Sequence, residues 1–243
     1  MLSLTIRSHI FGPKWFYGFD SIIELIAVVI CLLLLYYSYR CYKLTSEKRF
    51  FYFSTAFLSL TLAFFSRILG TLLIYMPKIP ISDVGAVVQK VTFNLISVSL
   101  LSAMSFLSYV FFMILGFMAL FLIVSKLTWK DKRVLAMLFY LVLISSFLGG
   151  IHYQFFYATT FVMLALISYS YIMNYRAIKS KNSRLVSIAF CILLVSHFLF
   201  IFVIYSRTLY VIAEVLQLLG FLFLLIPFSV RKLFIFAISK LTK

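Results

Sequence analysis

Seven apolar stretches separated by short polar segments make up almost the whole chain. A helix needs ~20 apolar residues to cross the hydrocarbon core of a bilayer, so each stretch is a candidate membrane span. Pro77 and Pro80 close the second stretch, because proline cannot continue a helix, and the pair Gly149-Gly150 predicts a turn after the fourth. The predicted spans cover residues 20–42, 50–76, 84–125, 133–150, 154–175, 184–205 and 208–230.

The third stretch, residues 84–125, is longer than one crossing requires and contains one charged residue, Lys90. A single helix of this length would measure roughly 63 Å, about twice the hydrocarbon core. Three arrangements are open: one helix that projects beyond the bilayer, one helix that bends at Gly116, or two helices joined by a turn.

The distribution of basic residues selects among these arrangements. If the third stretch crosses once, four polar segments with four basic residues each lie on one side, which the positive-inside rule makes cytoplasmic. The sequence therefore predicts seven spans, an extracellular N-terminus and a cytoplasmic C-terminus, whereas eight spans would place the later clusters on the opposite side. The four segments contain Arg40, Lys43, Lys48 and Arg49; Lys126, Lys130, Lys132 and Arg133; Arg176, Lys179, Lys181 and Arg184; and Arg231, Lys232, Lys240 and Lys243.

Composition supports a single membrane domain. Of 243 residues, 65% are hydrophobic and 12% are charged, whereas a soluble domain has about 25% charged residues. We expect an extracellular tail at 1–19, an all-α bundle at 20–231 and a basic cytoplasmic tail at 232–243. The net charge of +16 lies between the spans, so anionic lipid headgroups are the expected counterions and nucleic acid is not an expected partner.

Two polar junctions resemble each other at an interval of 132 to 133 residues, which predicts an internal repeat. Spans one to three and five to seven would form two parallel three-helix units joined by span four, a 3+1+3 plan. A weaker echo links Gln89 and Phe93 with Gln217 and Phe221. The matches in the junctions are Tyr37, Ser38 and Tyr39 with Tyr169, Ser170 and Tyr171; Tyr42 with Tyr175; and Ser54, Ala56 and Phe57 with Ser187, Ala189 and Phe190.

Polar residues inside the spans concentrate in the predicted extracellular half. Charge in lipid is costly and usually faces the interior of a bundle, so these residues are candidates for a site. One hypothesis is an outward-opening pocket for water, an ion or a small ligand. The other is structural, with Arg67 or Lys90 neutralising a glutamate and a backbone carbonyl binding the histidine. The candidate residues are Glu24, Arg67, His197, Glu214 and Gln217.

The Tyr- and Lys-rich junctions and the segment EVLQLLGFLFLLIPF at 214–228 resemble the seven-helix membrane sensor modules that precede signalling domains in prokaryotes. The 3+1+3 plan also resembles microbial rhodopsins and the sugar-carrying SWEET family. The predicted seventh span, however, lacks a lysine for retinal, and the chain lacks the Pro-Gln pair of SWEET repeats. The resemblance to sensor modules implies a receptor-like protein.

We expect a multi-pass protein of the cell membrane that acts as a sensor, or as an accessory subunit, through a protein partner or a homo-oligomer. The alternative is a small-solute or ion transporter built on the repeat. Alternating access needs polar groups near the midplane that both sides can reach, and the predicted inner half offers few. No catalytic motif, metal-ligand spacing or cofactor motif occurs, so neither enzyme activity nor a cofactor is expected.

Overall fold

The computed structural model describes residues 13–16, 18–75, 86–125 and 132–241, and it is all-α. Side chains are described except at 14, 73–75, 86–99, 132–135, 137, 138, 151 and 228–241. Short 3-10 helices lie at Lys14–Phe16 and Phe202–Ile204. The α-helices within the described ranges are α1 (Phe19–Thr45), α2 (Lys48–Tyr75), α3 (Ala86–Val124), α4 (Lys132–Ile151), α5 (Tyr153–Ile178), α6 (Lys181–Ile201) and α7 (Arg207–Leu241).

Six of these helices are long and apolar enough to cross a membrane: α1, α2, α3, α5, α6 and α7. The chain is therefore a multi-pass membrane protein. In α4 the apolar part among the described side chains is shorter and runs from Phe139 to Gly150. The predicted N-terminal tail lies mostly outside the described residues, as do the side chains of the predicted C-terminal tail.

Helix α3 resolves the ambiguity of the long third stretch, because Ala86–Val124 is one continuous helix of 39 residues. Gly116 lies against α2 within this helix. A methyl group added there would lie 2.8 Å from the Leu60 side chain and 3.2 Å from the Ala56 carbonyl. The absence of a side chain at Gly116 thus lets two helices approach closely, as small residues do in membrane bundles.

Two predicted helix ends differ from the structure. The predicted turn after the fourth stretch is present at His152, but Gly149 and Gly150 lie inside the end of α4 rather than in that turn. A methyl group on Gly149 would lie 2.8 Å from the Phe156 side chain, so this glycine permits close packing of α4 on α5. Helix α7 continues to Leu241 through Pro227, so the basic pair Arg231-Lys232 does not end the helix.

The helices pack as a ring in which each neighbour along the ring is in contact. The order is α1, α2, α3, α5, α6 and α7, with α7 returning to α1, while α4 packs on α3 and α5. Side chains that point into the ring form a continuous apolar core that contains Leu34, Phe57, Phe117, Phe190 and Phe221. Many large apolar side chains on the outside are exposed, as expected for a surface that faces lipid.

Tight turns join α1 to α2 and α5 to α6. Helix α1 ends with Ser46 in the left-handed conformation (φ 56°), and its N–H donates to the Tyr42 carbonyl. Helix α5 ends in the same way with Lys179 (φ 53°), whose N–H donates to the Tyr175 carbonyl. These are the two non-glycine residues with positive φ in the described part of the chain. Each turn thus keeps a C-terminal helix cap that glycine usually provides.

Candidate functional site

All five predicted site residues are buried in the bundle. Glu24 is on α1, Arg67 on α2, His197 on α6, and Glu214 and Gln217 on α7. Arg67, the most accessible of them, retains 9% of its surface. Their burial agrees with the rule that polar side chains in membrane helices face the interior.

Arg67 joins three helices through two ion pairs. Its Nε lies 2.7 Å from Glu24 Oε1 on α1, and its Nη2 donates to Glu214 Oε1 on α7. The guanidinium is a planar fork of five N–H donors, so one side chain can serve carboxylates on opposite sides. The predicted pairing of a glutamate with Arg67 is therefore present, and both glutamates take part.

Three tyrosines complete the shell around Arg67. Tyr210 Oη on α7 lies 2.6 Å from Arg67 Nη2, and Tyr109 Oη on α3 lies 3.5 Å from Nη1. The guanidinium carbon also lies 5.2 Å and 5.8 Å from the centres of the Tyr109 and Tyr210 rings, within cation–π range. Tyr157 on α5 shares a side-chain hydrogen bond with Tyr109. We call Glu24, Arg67, Glu214, Tyr109, Tyr157 and Tyr210 the arginine network.

The segment before α1 covers one end of the arginine network. Phe16 is buried and contacts the Tyr210 ring edge-on, with 6.2 Å between ring centres. Gly18 then turns the chain into α1 with φ 93°, a conformation that favours glycine. Asp20 Oδ1 accepts hydrogen bonds from the N–H groups of Gly18 and Ser21, at 3.0 Å and 2.9 Å. The entry to α1 is thereby fixed against the site.

His197 and Gln217 are buried without a contact to Arg67. His197 Nδ1 lies 3.0 Å from the Leu193 carbonyl, so Nδ1 is the donor and Nε2 has no partner among the described atoms. The imidazole is surrounded by the rings of Phe117, Tyr157 and Phe200, whose centres lie 5.4 to 6.2 Å from its own. Both amide atoms of Gln217 also lack a hydrogen-bond partner there. The predicted backbone bond of the histidine is thus present, and the outward-opening pocket stays a prediction.

The buried ionisable groups share one end of the bundle. Among the described side chains, the buried charged residues and histidine are Asp20, Glu24, Arg67, His197 and Glu214. The other half is filled by apolar side chains, with buried hydroxyls such as those of Ser38, Ser54 and Ser187 near the turns. Buried polar groups in lipid must find internal partners, and the arginine network provides these at one depth only.

The three tyrosines of the arginine network were not among the predicted site residues. Tyrosine is typical of the aromatic belts at the membrane surface, and other tyrosines of the chain, such as Tyr36 and Tyr169, are exposed. The spacing of Tyr210 and Glu214 was a usable signal, because residues four apart lie on one helix face. For Tyr109 and Tyr157 no such local signal exists. Comparison with known protein families, with characterised proteins and with solved structures finds no match to this chain.

Proposed function

We propose that this protein is a seven-span sensor or receptor-like module, or an accessory subunit, that acts in a cell membrane through a protein partner. The observation that carries the proposal is that the arginine network lies at one end of the bundle, while apolar side chains fill the other half of the interior. A sensor requires a polar site near one membrane face and a rigid connection to the other face. A carrier requires polar groups that each side can reach in turn.

The proposed seventh span is α4. Its 20 residues, Lys132–Ile151, would measure ~30 Å, which is about the thickness of the hydrocarbon core. With this crossing, the basic turns after α1 and α5 share one side with the segment after α3. The positive-inside rule makes that side cytoplasmic and places the arginine network in the extracellular half.

The 3+1+3 repeat is supported first by the two turns. The left-handed caps Ser46 and Lys179 are 133 positions apart, and so are the first residues of the following helices, Lys48 and Lys181. The buried residues Cys31 and Leu34 of α1 correspond by the same interval to the buried residues Leu164 and Ile167 of α5. At this interval Tyr36, rather than the predicted Tyr37, corresponds to Tyr169.

Glycine packing gives a second, independent support for the repeat. A methyl group added to Gly220 of α7 would lie 2.6 Å from the Leu193 side chain and 3.3 Å from the Ala189 carbonyl. Leu193 and Ala189 are 133 positions after the residues of α2 that contact Gly116 of α3. The two glycine contacts are therefore equivalent, and Gly220 of α7 corresponds to Gly116 of α3 at an interval of 104 positions. This correspondence is favoured over the predicted match of Gln89 with Gln217.

Aromatic contacts across the ring follow the same relation. Phe64 of α2 contacts Phe221 of α7, and His197 of α6 contacts Phe117 of α3. Both ring pairs are edge-to-face, with centres 5.4 Å apart and interplanar angles of 85° and 81°. An interval of 133 positions relates Phe64 to His197, and an interval of 104 relates Phe117 to Phe221, so each aromatic pair corresponds to the other. A pseudo-twofold axis through the ring of helices requires this exchange.

The charges break this pseudo-symmetry. Under the proposed repeat, Glu24 corresponds to Tyr157, Arg67 to Phe200 and Glu214 to Val110. A carrier with parallel repeats has its site on the axis between them, built by both. Here the counterparts of all three charges are aromatic or aliphatic. This asymmetry favours a one-sided sensor, while the pseudo-symmetric ring itself is the observation that favours the transporter alternative.

Accessibility from the two membrane faces distinguishes the two functions. In a variant without Cys31, Cys41 and Cys191, a cysteine would replace the buried Ala213, whose carbonyl accepts from Ser196 Oγ at 2.8 Å. Oriented proteoliposomes are then treated with a membrane-impermeant maleimide on one face at a time. A sensor leaves A213C unreactive from the cytoplasmic face, whereas alternating access makes it reactive from both.

The control is a cysteine at Ser46 in the exposed turn after α1, which reacts from the cytoplasmic face alone. Reaction of S46C from outside would contradict the proposed orientation. Reaction of A213C from the cytoplasmic face would contradict the sensor and support the transporter.

A further inference from the structure

The arginine network contains more acidic than basic groups. Glu24 and Glu214 both pair with the one cation, Arg67, whereas Asp20 lies outside the network and accepts hydrogen bonds from two backbone N–H groups. Arg67 is the single buried cation among the side chains that the structure describes. An uncompensated charge in a dry interior costs several kcal/mol, and such a group becomes neutral instead. One additional positive charge is therefore required in the network.

The hydrogen bonds indicate which of the two carboxylates binds a proton and so provides that positive charge. Glu214 accepts from Arg67 and shares a second hydrogen bond with Tyr210. Glu24 Oε1 lies 2.7 Å from Arg67 Nε, but neither Glu24 oxygen has a hydrogen-bond partner among the described atoms, and both have almost no solvent-accessible surface. An ionised carboxylate without hydrogen-bond donors is the less stabilised of the two. Oε2, which does not lie beside the guanidinium, is the oxygen that can take a proton. Glu24 is consequently the carboxyl that becomes neutral.

No other described group on the surrounding helices supplies the missing positive charge. His197 donates from Nδ1 to a carbonyl, and the described rings that surround its imidazole are aromatic and offer no carboxylate to stabilise a second proton. The tyrosines are neutral donors, and Asp20 already accepts two backbone N–H groups. The titratable or charged groups on the helices around Glu24 are Asp20 on α1, Arg67 on α2, Tyr109 on α3, Tyr157 on α5, His197 on α6, and Tyr210 and Glu214 on α7.

We propose that Glu24 is a proton-binding residue that carries its proton on Oε2 in the folded protein. The proton comes from a hydronium ion in the water at the outer end of the bundle: one O–H bond of hydronium breaks, one O–H bond forms on the carboxylate, and a water molecule is left. Because Oε2 is closed off from solvent, a proton fits there without rearrangement, whereas a metal or ammonium ion would need space. The proposal concerns the charge of the site and holds for a sensor and for a transporter.

Only three glutamates occur in the chain, Glu24, Glu47 and Glu214, so one label can report the protonation of each. The protein is produced with ¹³C in the side-chain carboxyl of glutamate, placed in lipid nanodiscs at neutral pH, and measured by solid-state NMR. The carboxyl shift separates protonated from ionised groups. We expect one protonated and two ionised signals, and three ionised signals would overturn the proposal.

Substitutions assign the protonated signal. E24Q removes it and leaves two ionised signals, while E47Q, in the exposed turn, removes an ionised one. If E24Q does not fold, E47Q and E214D assign the signal by elimination. E214D keeps a negative charge beside Arg67 while it removes the labelled glutamate, so the protonated signal must persist in both variants. Loss of the protonated signal in E214D would place the proton on Glu214 and refute the assignment to Glu24.

Discussion

Replacing Arg67 with glutamine removes the cation of the arginine network while keeping much of the side-chain volume. In the structure this substitution deprives Glu214 of its ion pair, Glu24 of its contact with the guanidinium, and two tyrosine hydroxyls of hydrogen bonds. Breaking a buried ion pair on one side costs about 3–5 kcal/mol, because the remaining charge stays buried. At about 2–4 °C per kcal/mol for a chain of this size, R67Q should lower the unfolding temperature by roughly 6–20 °C.

A double-mutant cycle measures the ion pair itself. E214Q alone leaves Arg67 without its best-bound carboxylate and should be strongly destabilising. R67Q/E214Q removes both charges and should cost less than the sum of the single variants by about 0.5–3 kcal/mol. The measurement is thermal unfolding of purified protein in one detergent, at low and high salt. A buried pair is little affected by salt screening.

Arg207 provides the matched control, because it is exposed at the start of α7. R207Q makes the same chemical change without breaking a buried pair, so a change within ±0.5 kcal/mol is expected. E24Q should cost less than ~1 kcal/mol, since glutamine resembles a protonated carboxyl and preserves most of the packing. If R67Q unfolds like R207Q, or if the Arg67–Glu214 cycle is additive, the network does not stabilise the bundle.

The remaining predictions concern packing and the turns, and thermal unfolding under the same conditions measures each. G116A and G220A should each destabilise the protein by about 1–3 kcal/mol, because an added methyl group meets a leucine within 2.8 Å and a carbonyl within 3.3 Å. Unequal losses would contradict the proposed equivalence of the two glycines. S46G and K179G should each stabilise by up to about 1 kcal/mol by relieving a left-handed conformation, and a loss would mean that the side chain at that cap contributes. H197F, which copies the phenylalanine expected from the repeat, should cost less than ~1 kcal/mol because it removes a buried nitrogen without a partner. A larger loss would show that Nε2 binds a group, such as a water, that stabilises the fold.

Depth in the membrane could be predicted from sequence because it depends on position along a helix alone. The level of Glu24, Arg67 and Glu214 follows from the ends of their apolar stretches, and their burial follows from the cost of charge in lipid. Rotation about the helix axis could not be predicted for Tyr109 and Tyr157. An aromatic ring is as compatible with lipid as with the core, so composition does not distinguish the two faces.

The glycines were misinterpreted for a related reason. Glycine ends helices in water, because it has no side chain to strain and it exposes the backbone to solvent. In a membrane bundle the same lack of a side chain allows two helices to approach, as at Gly149 against Phe156. A Gly-Gly pair in an apolar stretch is therefore compatible with both structures, and only the partner helix decides between them.

The position of Glu24 on α1 gives its proposed protonation a physical connection to the turn after α1. Glu24 and the cap residue Ser46 are ends of one helix segment that would measure ~33 Å, so a shift at one end is carried to the other. Near the turn, Ser38 Oγ donates to the Phe50 carbonyl at 3.3 Å and ties α1 to α2, the helix that holds Arg67. If Glu24 loses its proton, the added charge strengthens its attraction to Arg67 and its repulsion from Glu214. These forces act between α1, α2 and α7, whereas α5 and α6 have no charge at the corresponding positions. Under the proposed sensor function, movement of the turn after α1 relative to the turn after α5 is the signal that a partner at the basic face would detect.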